Sequence, residues 1–167
     1  MPVFVRAAIY SSLFIASILV FIPAQLLGGA GIVRPAAVGA LGLVGMAAVA
    51  LGAAVALWCI ATFAVEGRGT PAPFDPPRRL VVRGPYRLVR NPMYLGAGLA
   101  LAGAAVVYRS VALVVYLLVL ALITQALVVL YEEPTLGRQF GADYLAYCQQ
   151  VRRWLPRLPG SPLKSAT

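Results

Sequence analysis

The chain has 167 residues, of which 61% are apolar and 11% charged, against roughly 45–50% and about 25% in soluble domains; apolar runs this long in so small a chain point to lipid as its solvent. Fourteen Lys and Arg against five Asp and Glu give a net charge of +9, a balance that suggests nucleic-acid binding in a soluble domain but here falls where membrane insertion and anionic headgroups place it, so no nucleic-acid partner is expected. With no histidine, zinc sites of the His/Cys type, Ser-His-Asp triads and histidine bases are excluded, and Cys59 and Cys148 form neither a CxxC pair nor a disulfide framework.

Apolar stretches at 7–27, 36–65, 93–107 and 111–131 predict an all-α membrane protein with four transmembrane helices. A cleaved signal peptide is the rival reading of the first, because Gly28, Gly29, Ala30 and Gly31 follow it; against this, the run exceeds the usual signal core, and Pro23 and Gln25 suit a helix reaching the far interface. The second stretch is longer than one span needs, so it tilts or breaks near its ends, and Ala48, Gly52 and Ala56 repeat at every fourth position as a helix-packing face does. The third is short: 15 residues cover about 23 Å at 1.5 Å per residue, less than the ~30 Å hydrocarbon core. It therefore starts inside the preceding motif or crosses a thinned bilayer. With the amino terminus in the cytoplasm, Arg6, six arginines between the second and third stretches and five cations after the fourth lie inside, and only Arg34 and Arg109 outside. The positive-inside rule then places both termini in the cytoplasm of a multi-pass protein, with a bacterial inner membrane as the expected setting.

Between the second and third stretches, Glu66 to Pro92 holds six prolines and six arginines. Pro71, Pro73, Pro76 and Pro77 favour extended backbone and Gly84-Pro85 a turn, so this connection is expected to lie across the cytoplasmic face without forming another helix. It is either a cationic tether or a functional loop, and the pattern RGPYRLVRNPMY favours the second. Glu132 and Glu133 stand at the end of the fourth stretch, where the helix dipole disfavours anions, so a cation must offset them: Arg138, the loop arginines, or a bound cationic ligand. After Pro134 an amphipathic cytoplasmic helix is predicted, interrupted at Gly137 and Gly141. Leu136, Phe140, Tyr144, Tyr147 and Val151 form its apolar face and Trp154 an interfacial anchor, and it either packs on the membrane or closes over a site. Residues 156–167, rich in proline, read as a disordered tail. Three units result: 1–65 with two spans, 66–155 with the connection, two further spans and the amphipathic helix, and 156–167.

Four separated elements, Gly84-Pro85-Tyr86, Asn91-Pro92-Met93-Tyr94, Glu132-Glu133 and Phe140-Gly141 with Tyr144 and Tyr147, follow one another in the order and pattern of the integral-membrane methyltransferases. Over about 66–155 the chain resembles that superfamily, which includes isoprenylcysteine carboxyl methyltransferase and phosphatidylethanolamine N-methyltransferase. The resemblance implies S-adenosylmethionine as cofactor without a Rossmann domain. It implies cofactor contacts at Leu80, Val81, Tyr86, Asn91, Pro92, Met93, Tyr94, Glu132 and Glu133, and no dedicated metal. Gly96 either permits close approach of the cofactor or serves helix packing. Asn91 stands where the prenylcysteine enzymes have His and matches the phospholipid N-methyltransferases; Val128 stands where the former place a substrate arginine, which argues against a carboxylate acceptor.

A lipophilic acceptor drawn from membrane lipids is implied, first a phospholipid amine, and otherwise an isoprenoid or other hydrophobic carboxylate or a small thiol. The cofactor is a cytosolic cation, and the charge count puts the loop and the acidic pair on the cytosolic side. For an ammonium acceptor one proton must leave, and Glu133 or Tyr94 is the candidate catalytic base. The competing class is a non-catalytic scaffold or lipid-binding protein of the same fold. Oligomeric state is not legible in the sequence.

Overall fold

The computed structural model describes residues 16–32, 35–36, 39–62, 65 and 79–156. The first part of the first apolar stretch, the proline-rich part of the connection (66–78) and residues 157–167 lie outside the described residues. What is described is helical, with no strand among those residues. A π turn, Ser17–Phe21, leads into α1 (Ile22–Gly29); α2 is Ala40–Thr62; a 3-10 turn, Gly84–Arg87, precedes α3 (Pro92–Tyr108); α4 (Val111–Leu127) passes through a second π turn, Val128–Glu132, into α5 (Glu133–Phe140), and α6 is Ala142–Gln150.

Among the described residues two helices are long and apolar enough to cross a membrane: α2, with 23 residues, and the continuous helix Val111–Phe140, with 30. The segments Ser17–Gly29 and Pro92–Tyr108 are apolar but shorter. Large apolar side chains point outward along both long helices, among them Leu43, Leu57, Leu118 and Leu122; such faces need lipid or another apolar cover. The second apolar stretch is trimmed at its start by Gly39, whose φ of 68° only glycine adopts readily and which lies just ahead of α2.

Small residues let α2 and α3 touch backbone to backbone. A Cβ on Gly52 would lie 2.4 Å from the Gly96 carbonyl oxygen, and one on Gly103 2.5 Å from that of Gly45. Pairing 45 with 103 and 52 with 96 makes the helices antiparallel, and two contacts seven residues apart on each helix hold one crossing register. In lipid, where apolar burial contributes little between helices, such close van der Waals approach is the main source of association. Of the predicted stripe, Gly52 and Ala56 lie on this face, and Gly96 is a packing glycine, set against Gly52, Val55 and Ala56.

Two residues join α3 to α4. Arg109 adopts the left-handed conformation (φ 48°) and its amide returns to the end of α3, while the Ser110 hydroxyl, almost fully buried, accepts from the Leu113 amide as the N-cap of α4. So short a link forces antiparallel neighbours. The Tyr116 hydroxyl donates to the Ile18 carbonyl at 2.9 Å, tying the π turn before α1 to α4.

Both π turns end two residues before a proline. The amide of Ile22, ahead of Pro23, donates to the Ser17 carbonyl, and that of Glu133, ahead of Pro134, to the Val128 carbonyl, each five residues back. Proline has no N–H and its ring clashes with the carbonyl four residues earlier; widening the preceding turn relieves the clash without breaking the helix. The fourth apolar helix therefore continues through Pro134. Gly137 lies inside α5 and interrupts nothing, whereas Gly141, with φ 53°, makes the break before α6.

Candidate functional site

The polar residues singled out in the sequence meet at one end of the helices, where α3 begins and the α4–α5 helix passes. Val81 is buried with Cys59 of α2 and Tyr86, and Met93 packs on that cluster; Leu80 packs on Tyr144, Tyr147 and Val151. The side chains of Leu80 and Val81 are thus taken up by packing, and what they offer a ligand is backbone. Gly84, at φ 56°, sits so close to Thr62 that a Cβ would lie 2.8 Å from its hydroxyl oxygen, which brings the 3-10 turn against the end of α2. The buried Tyr86 hydroxyl is hydrogen-bonded to the Cys59 thiol, and the Tyr147 hydroxyl donates to the Tyr86 carbonyl at 2.7 Å. Burial, reinforced by the neighbouring thiol, pushes the Tyr86 phenol far above the ordinary tyrosine range, so it stays neutral. Burial also raises the Tyr147 phenol, against the lowering influence of Arg90.

Asn91 precedes Pro92 at the start of α3 and occupies the N-cap position, but its side chain does not cap the helix; its Nδ2 donates to the Arg153 carbonyl at 3.3 Å. The first amides of α3 are therefore uncapped by a side chain, leaving the positive end of a 17-residue helix facing this site. One turn on, the Tyr94 hydroxyl donates to Glu132 Oε1. Among the described residues no cation pairs with Glu132.

Glu133 has the opposite surroundings. Arg153 grips it with two hydrogen bonds, Nε to Oε1 and Nη2 to Oε2, both 2.7 Å, and Arg90 Nη1 stands 3.1 Å from Oε1. Arg90 Nη1 also donates to Cys148 Sγ at 2.9 Å. The pairing is substantially shielded, with side-chain exposures of 15% for Arg90 and 19% for Glu133, so fork-to-carboxylate geometry is what makes it tolerable. The adjoining Glu133 raises the Arg153 guanidinium above its ordinary value.

The expected cation opposite the acidic pair is thus a loop arginine, Arg90, together with Arg153. Arg138 instead reaches Thr135 at 3.5 Å. The five residues of the predicted apolar face do assemble into one cluster, but it packs on Leu80 within the protein. Trp154, expected as an interfacial anchor, donates its indole N–H to Gln125 of α4 at 2.8 Å. Arg153, Cys148 and Gln125 carried no signal in the sequence: a second arginine in RRW, a lone cysteine and a glutamine in an apolar run have no spacing that ties them to the motifs.

A family model of phospholipid methyltransferases matches residues 41–143. No curated protein and no solved structure matches. The match covers more than half of the chain, which belongs to that family, a family of membrane methyltransferases.

Proposed function

We propose that this member of the phospholipid methyltransferase family is an integral-membrane, S-adenosylmethionine-dependent enzyme that methylates the amine of a phospholipid. The observation that carries the reading is the split environment of the acidic pair: Glu133 is held by two guanidinium groups, whereas Glu132 meets only the Tyr94 phenol among the described residues.

The donor set suits the cofactor. A carboxylate without a cationic partner favours a positively charged group beside it, and the uncapped start of α3 favours a negatively charged one, so a zwitterion carrying both charges is accommodated. Asn91, Tyr94 and Glu132, with backbone from Leu80 and Val81, are the residues to hold it; Tyr86 and Pro92 are buried and Met93 packs on the cluster that contains Tyr86, so these three shape the walls. S-adenosylmethionine supplies a methyl group already activated on a sulfonium. The protein's remaining tasks are orientation, exclusion of water and proton handling. Both oxygens of Glu133 already accept bonds from cations, so Glu132 is the better place to receive a proton from an ammonium acceptor, on Oε2, with the Tyr94 hydroxyl holding Oε1. Glu133 then serves to organise the site and does not act as the base.

Val128, at the position of the prenylcysteine enzymes' substrate arginine, is 1% exposed. Neither charge nor access is available there for a carboxylate acceptor, which favours an amine. In the membrane, α2 and the α4–α5 helix cross fully, and the shorter segment ending in α1 and the 17-residue α3 complete a four-span bundle with the site at the cytoplasmic end, supported by the concentration of arginines there.

The test is transfer of labelled methyl groups by the reconstituted protein to vesicles with and without phosphatidylethanolamine. Label in the lipid fraction that requires this lipid supports the reading. Label that appears only on fatty or isoprenoid acids overturns the acceptor, and a folded protein that neither transfers nor binds cofactor overturns the enzyme in favour of a scaffold.

A further inference from the structure

The chain leaves α6 at Val151 in extended conformation, φ −119° and ψ 127°, and residues 152–154 continue without regular structure. The four consecutive residues 151–154 make contacts to both arms of the site. Val151 is buried with Tyr144 and Tyr147; the Arg152 carbonyl accepts from the Arg90 amide at 2.9 Å; the Arg153 carbonyl accepts from Asn91 Nδ2 while its guanidinium forks onto Glu133; and the Trp154 indole reaches Gln125. One arm is the start of α3, the other the α4–α5 helix. The segment lies beyond the matched residues 41–143, and nothing in the motif pattern reaches Arg153.

We infer that Arg153 is a positioning residue of the methyl-transfer site, acting through a strap formed by Val151–Trp154. This rests on the function proposed above. Arg153 makes its side-chain bonds to Glu133 and none to Tyr94 or Glu132 among the described residues; it acts by fixing their neighbours. Its fork holds Glu133 to one rotamer, and because Glu133 follows Glu132 directly at the end of the π turn, that anchor sets the rotation at which Glu132 faces Tyr94. Its carbonyl accepts from Asn91 Nδ2 and so orients the carboxamide, whose oxygen does not cap α3, which keeps the helix start open. One residue therefore controls the acidic pair by its side chain and the asparagine by its backbone, and the bidentate geometry is one that arginine supplies and lysine does not.

The experiment is calorimetric titration of the detergent-purified full chain with S-adenosylhomocysteine, together with hydrogen exchange of the peptide containing the Arg90 amide. The proteins compared are wild type, Arg153→Ala, Arg153→Lys, Glu133→Gln, the double variant Arg153→Ala/Glu133→Gln, and Arg138→Ala as an exposed control. Arg153→Ala is expected to bind about tenfold more weakly and to exchange the Arg90 amide faster, and the double variant to be no weaker than either single one, since the two residues act as a unit. Arg153→Lys keeps the charge and is expected to recover part of the loss; it carries the test if the alanine variant does not fold. Wild-type affinity in Arg153→Ala or in a folded Arg153→Lys, or losses that add in the double variant, overturns the inference while leaving the function standing. No binding by folded wild type overturns both.

Discussion

Glu132 and Glu133 are neighbours in the chain, yet Glu132 faces the Tyr94 hydroxyl and Glu133 the guanidinium groups of Arg153 and Arg90. Consecutive helical residues differ by about 100° in direction, which separates their partners, and the π turn ahead of Pro134 sets where that separation falls relative to α3. Two carboxylates that would repel in one setting thereby occupy two.

Their substitutions should differ in kind. Glu132→Gln is expected to lower kcat by about 10² or more, the range of a general base, and to make the remaining rate climb with pH as the free-amine fraction of the acceptor grows. Glu133→Gln should mainly weaken cofactor binding and leave the shape of the pH profile unchanged. Steady-state rates across pH for both variants check this, and identical profiles contradict it.

Tyr94→Phe removes the donor to Glu132 while keeping the ring. About a tenfold fall in kcat is expected, with a lowered melting temperature, because a hydrogen bond to a charged group contributes roughly 1.5–3 kcal/mol. Rate and thermal melt together test it.

At Gly52 and Gly103 the α2–α3 crossing leaves no room for a methyl group. Gly52→Ala and Gly103→Ala each force a Cβ onto a backbone carbonyl, and each is expected to destabilise by about 1–3 kcal/mol, the usual cost of overpacking. Gly28→Ala, with nothing within 4 Å of its Cβ, should be close to neutral. Thermal unfolding in detergent distinguishes them.

Tyr147→Phe leaves the buried Tyr86 carbonyl without its donor, for an expected loss of about 1–3 kcal/mol. The Tyr86 and Tyr147 phenols are both raised by burial. Their folded values lie above the unfolded value of about 10, so the stability they confer is intact below that pH and is lost as pH rises above it. Melting temperatures should therefore be flat from neutrality to about pH 9 and fall at pH 11, and less steeply in Tyr147→Phe.

Much of this was legible because the chain marks it locally. Gly84-Pro85 announces a turn, Asn91-Pro92 a helix start, and Leu136, Phe140, Tyr144, Tyr147 and Val151 a single apolar face, and each element is found. Apolar length alone set the ends of the second stretch, and it ran past Gly39 because an apolar count does not see a positive φ. Composition cannot tell a glycine inside a helix, as Gly137 is, from one that ends it, as Gly141 does. Pro134 was visible, but its effect was not: the preceding turn widens and the helix survives. Arg153 was out of reach, since pairing across 20 positions depends on how α6 folds back, and no periodicity encodes that.

The measurement that bears most directly on the account is titration of the folded, detergent-purified protein with S-adenosylhomocysteine, for wild type and Glu132→Ala side by side. The account predicts saturable wild-type binding in about the micromolar range, near −8 kcal/mol, with affinity clearly reduced in the variant. Absence of binding by a folded wild type, or unchanged affinity in Glu132→Ala, would contradict it.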